Sequence, residues 1–92
     1  MIFLFTEEKL DLVNAFKKLL PLAHEWKGIG TLLGIPDSVL KRIKGEEDLV
    51  NNRLQEILGY WIKQVDPSPT WTDLANAVQP FDMYMASEIR KN

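Results

Sequence analysis

Apolar residues recur along this chain at steps of three and four, the spacing of one face of an α-helix. Leu12, Phe16 and Leu19 repeat in this way, with Val13 and Leu20 beside them. Thr6 offers that helix an N-cap, Glu7 and Glu8 fall in its positive first turn, and Phe5 can pack on Leu10 as a hydrophobic staple. Pro21 interrupts, because the residue before a proline, here Leu20, is pushed out of helical geometry. A second helix starts at Pro21 or Leu22 and carries Leu22, Trp26, Ile29 and Leu33, with Gly34 as its stop. Pro36 suits the first turn of a short third helix, whose inner side is Val39, Leu40 and Ile43 and which Gly45 ends. In the fourth and longest, Glu46, Glu47 and Asp48 lie at the start and Lys63 near the end, as the helix dipole favours. Its apolar face is Val50, Leu54, Ile57, Leu58, Trp61 and Val65. After the turn Asp66-Pro67-Ser68-Pro69, Thr70 and Asp73 form a capping-box pattern ahead of Trp71, Leu74, Ala75 and Val78. Beyond Pro80, Asp82 caps a last helix that turns Met85, Ala86 and Ile89 inward.

The pattern predicts an all-α protein of six short helices joined by short loops, packed as a bundle. Its expected core is Phe16, Trp26, Ile29, Leu33, Leu40, Ile43, Val50, Leu54, Leu58, Trp61, Trp71, Leu74 and Ile89. Ninety-two residues form one domain, 1–92, with room for a single core. Such a chain uses nearly all its large apolar side chains to fold.

Charge and chemistry narrow the function. The net charge is −2, with no basic excess to neutralise phosphates, so nucleic acid is not the expected partner. There is no cysteine, which excludes disulfides, Cys-based zinc sites and thiol nucleophiles. The opening Met1-Ile2-Phe3-Leu4-Phe5 is too short for a signal peptide, and no run approaches a membrane span. A soluble, cytoplasmic protein is expected. His24 is the only histidine; Glu25 is its neighbour in sequence, and adjacent helical residues do not face each other. Gly28-Ile29-Gly30-Thr31-Leu32-Leu33-Gly34 is not a dinucleotide loop, since its spacing is wrong and no strand precedes it. Gly30 is instead expected to admit a neighbouring helix or ring. No catalytic site, metal or cofactor is expected. What stands out is a segregation of charge: Lys41, Arg42 and Lys44 precede Glu46, Glu47 and Asp48 directly. Such a surface either solvates the helix, with an Asp37–Lys41 pair, or complements a copy of itself or a relative.

Three blocks carry a family resemblance. They are Trp26…Ile29-Gly30…Leu33-Gly34-Ile35…Leu40…Ile43, then Val50…Leu54…Ile57-Leu58…Trp61…Gln64, then Pro69-Thr70-Trp71…Leu74-Ala75-Asn76-Ala77-Val78. Together, from about Leu22 to Ile89, they resemble the death domain. The resemblance implies a six-helix antiparallel Greek-key bundle. It also implies homotypic binding to other death domains in intracellular signalling, as in adaptors and receptor tails, in cell death or other pathways. Carried over by position, it assigns partner contacts to Asp37, Lys41, Arg42 and Lys44 of the third helix and to Glu46, Glu47 and Asp48 after it. It adds Lys63, Gln64 and Asp66 after the fourth helix, and Gln79 and Asp82 before the last. Two other expectations stand beside it: a helical nucleic-acid-binding domain using Lys41, Arg42 and Lys44, and a purely structural domain of a larger protein.

Overall fold

The computed structural model describes residues 10–65 and 67–91, and every regular element in them is helical. Helix α1 (Leu12–Leu19) runs into a 3-10 segment, Leu20–Glu25. Then come α2 (Trp26–Leu32), α3 (Asp37–Glu46), α4 (Val50–Gln64), α5 (Trp71–Val78) and α6 (Met83–Arg90). Helix α4 is the hub, packing on α1, the 3-10 segment, α2 and α3. Helices α5 and α6 pack chiefly on each other, and α5 also reaches α2.

The core follows the helical stripes. Leu54, Ile57 and Leu58 of α4 are fully buried and Trp61 nearly so. They belong to one apolar cluster with Leu19, Ile29, Leu40, Ile43, Leu74, Val78 and Ile89. Each such side chain stabilises the fold by roughly 1.5–3 kcal/mol relative to exposure. Among the described residues no charged or polar side chain is buried. Gly30 is required by this packing: a Cβ there would lie 2.7 Å from Leu40 Cδ2, so glycine lets α3 close on α2. Gly34, at φ +86°, ends α2 as expected. The Gly34 and Ile35 N–H groups donate to the Thr31 and Gly30 carbonyls, the paired bonds of a Schellman cap.

Several boundaries differ from the sequence pattern. Asp11 is extended and its carboxylate accepts from the Asn14 N–H at 2.9 Å, so α1 starts at Leu12 and not further upstream. Thr6, Glu7, Glu8 and the Phe5 staple lie outside the described residues. Leu20 stays helical before Pro21 (φ −48°, ψ −43°). The break is taken up at Leu19 and Leu22, and the chain tightens into the 3-10 segment while burying both side chains. Pro36 precedes α3 as its N-cap, and Gly45 lies inside that helix. The acids Glu46, Glu47 and Asp48 are not in the first turn of α4. Glu46 ends α3, Glu47 is its C-cap, and the α4 N-cap is Leu49.

Several apolar side chains are less buried than the stripes imply: Leu12, Val39 and Met85 are half-buried, Val13 and Leu20 are exposed, and four more depart as follows. Val50, the first residue of α4, is exposed, while Arg53 one turn on sets its guanidinium over Trp26. Val65 is exposed because α4 ends at Gln64 and Val65 is already extended. Leu33 follows the last residue of α2 and is half-buried, as is Phe16 at the edge of the core.

Candidate interaction surface

Helix α3 has two inward side chains, Leu40 and Ile43, so Asp37, Lys41, Arg42 and Lys44 face solvent. Two pairs form along it at i,i+4: Lys41 to Asp37 at 3.3 Å and Arg42 to Glu46 at 3.2 Å. At their exposure each contributes a few tenths of a kcal/mol. Among the described residues Lys44, Glu47 and Asp48 have no ion-pair partner within 4 Å. The surface is therefore bipolar, basic on α3 and acidic at the corner that follows.

That corner is held from α4. The Arg53 Nε donates to the Glu47 carbonyl at 2.6 Å and its Nη2 donates to the Lys44 carbonyl at 3.2 Å. Its Cζ lies 5.5 Å from the centroid of the Trp26 ring. The last carbonyls of a helix lack intrahelical donors and carry partial negative charge, so a guanidinium there satisfies both needs. Arg53 was not among the residues expected to matter. The signal is present in the sequence all the same: Arg53 stands four before Ile57 and eight before Trp61, a cation on an apolar stripe.

The other expected contact residues separate into two groups. Arg42, Lys63 and Gln64 come together around a cleft of about 310 Å³ between α1, α3 and α4, with Leu12, Ile43 and Tyr60 in its lining. Gln79 and Asp82 sit at the α5–α6 corner with structural roles of their own. Gln79 and Asn76 both accept from Arg90 Nη2, at 2.7 and 2.8 Å. Asp82 caps α6 by accepting from the Met85 N–H at 2.9 Å. Asp66 lies outside the described residues.

A larger cleft, about 430 Å³, opens over Trp61 between α2, α4 and α5. Its polar side chains are already engaged, Asp73 in the α5 capping box and Asn76 by Arg90. His24 is exposed, with Nε2 3.8 Å from the Glu25 carboxylate. Among the described residues there is no cluster of three metal-ligating side chains, and no helix is long and apolar enough to cross a membrane. No family model, curated protein or solved structure matches this chain.

Proposed function

We propose that the chain is a protein-interaction module that associates with domains of its own kind. In this reading the helices take the antiparallel six-helix Greek-key order of death domains, and the domain assembles signalling partners in the cell interior. The observation that best supports it is the fixed bipolar surface. Lys41, Arg42 and Lys44 stand directly before Glu46, Glu47 and Asp48, and Arg53 pins the backbone between the two groups. Opposite charges on one rigid body let the acidic corner of one copy meet basic side chains of another, which steers encounter and fixes register. A corner already ordered before binding loses less entropy on binding.

The test is a double charge reversal, Lys41→Glu with Arg42→Glu. Both side chains are exposed, so stability should change by no more than about 1 kcal/mol, the loss of two i,i+4 pairs and their conversion to like-charge contacts. Association should weaken, because acid would then meet Glu46, Glu47 and Asp48 of the partner. A well-folded double variant that associates as the parent does would remove α3 from the interface.

A further inference from the structure

Two positions around α4 go against the local rules of helix building and gain nothing from the other described residues of the same copy. Leu49 is the N-cap and makes no side-chain capping bond, although leucine is among the poorest residues there. It is 64% exposed, with Val50 exposed beside it, so no burial accounts for it. Gly59 lies mid-helix, where glycine is the least favourable residue after proline. Among the described residues a Cβ at Gly59 would meet only Leu12 Cδ2, at an ordinary 4.0 Å. Gly28 and Gly30 differ, since a Cβ on either would collide with Phe81 or Leu40.

The two positions lie on features that fit each other. Leu49 projects from the α3–α4 corner behind Glu47 and Asp48. Gly59 lines the 310 Å³ cleft, whose apolar lining is Leu12, Ile43 and the Tyr60 ring. Two cations, Arg42 and Lys63, line the same cleft against one carboxylate, Glu56. Arg42 already has Glu46, whereas Lys63 has no carboxylate within 4 Å among the described residues. Ten residues of helix separate Leu49 from Gly59, about 15 Å, so Leu49 cannot reach the cleft of its own copy.

We infer that the α3–α4 corner of one copy docks into the α1–α3–α4 cleft of a second copy. Leu49 seats over Gly59, and Glu47 and Asp48 approach Lys63. The inference rests on the homotypic reading above and gives it an anchor and a receptor. Leucine and glycine at these positions then have a common reason: the first supplies the apolar knob and the second leaves it room. Arg53 holds the Glu47 carbonyl, so the knob is presented in a fixed corner. Knob and cleft are different surfaces, so the contact is head-to-tail, each copy keeping one free knob and one free cleft.

Two variants test this by complementation. Leu49→Ser removes the knob and leaves the cleft; Gly59→Leu fills the cleft and leaves the knob. Gly59→Ala is the milder form should leucine disturb folding. Leu49→Ser installs a good N-cap and Gly59→Ala a good helix former, so both should raise the melting temperature by a few degrees. Both should nonetheless weaken self-association, Leu49→Ser by tenfold or more. By light scattering, Leu49→Ser and Gly59→Leu should each be monomeric alone and form a one-to-one dimer when mixed, while the parent chain grows further. Variants that self-associate like the parent would overturn the docking and leave the homotypic reading standing. Folded variants that are monomeric alone and stay so when mixed would overturn the pairing of knob with cleft. A parent chain that is monomeric at every concentration would overturn both proposals.

Discussion

At the start of α5 the chain secures its helix locally. The Thr70 hydroxyl accepts from the Asp73 N–H at 3.2 Å, and the Asp73 carboxylate accepts from the Thr70 N–H at 2.9 Å. Four residues after α5 ends, Asp82 caps α6, and Arg90 ties the two helices through Asn76 and Gln79. At the start of α4 nothing of the kind is present. The N-cap is an exposed leucine, three acids cluster before it, and the carbonyls of the preceding helix are held by an arginine from the next turn of α4. The α5–α6 end is secured by side-chain caps at both helix starts and by Arg90 reaching back to Asn76 and Gln79. The α3–α4 corner is arranged to hold a shape, at some cost to the helix that begins there. A corner kept rigid while leaving its apolar side chain in water is a surface suited to a partner.

The largest effect should come from a core residue of the hub helix, outside both regions. Trp61 is 6% exposed at the junction of α4 with α2 and α5, and Trp61→Ala should destabilise the protein by about 3–5 kcal/mol in urea denaturation. A loss below about 1 kcal/mol would mean that α4 does not join the two halves.

Arg53→Ala comes next, at about 2–3 kcal/mol, since it removes a charged donor from two carbonyls and a cation from the Trp26 face. Arg53→Lys should recover only part of this, because an ammonium has no planar fork to span two carbonyls. The Trp26 fluorescence should shift with the loss, whereas full recovery by lysine would reduce Arg53 to a point charge.

Thr70→Ala should cost about 1 kcal/mol through loss of the capping box, and should leave association unchanged because the proposed knob and cleft lie elsewhere. Weakened association in this variant would erase the contrast between the two ends.

The smallest effect is a pH dependence at α1. Bonds from the Asn14 backbone N–H, and then from its side chain, hold the Asp11 carboxyl below its ordinary value of 3.8. A lowered folded-state pKa gives stability that is present above 3.8 and lost as pH falls through the lower value. The melting temperature of an Asp11→Asn variant should therefore depend less on pH in that acidic range than the parent's does.

Much of the fold was legible in the sequence because its signals are local and periodic. The stripes of α4 and α5, the Thr70–Asp73 capping box, the Gly34 stop and the Asp82 cap depend on residues within a turn or two of each other. What the sequence hid depends on contacts between helices. Arg53 finds its partners only in the folded chain, which sets the end of α3 and Trp26 within its reach. The acidic triplet looked like the start of α4, since charge alone does not distinguish a helix start from the end of the helix before it. Of the expected contact residues, those on α3 and at the corner are exposed together. Asp82 takes the capping role its sequence position announced, whereas the Gln79 bond to Arg90 joins two helices and was not legible.

Self-association driven by exposed charge is the central claim, and sedimentation equilibrium of the parent chain, from micromolar to millimolar and at low and high salt, tests it most directly. The apparent mass should climb above the monomer's 10.6 kDa as concentration rises at low salt. It should fall back toward that value near 1 M salt, where charges are screened beyond about 3 Å. A mass fixed at that of the monomer across the whole range, in both salts, would contradict the account.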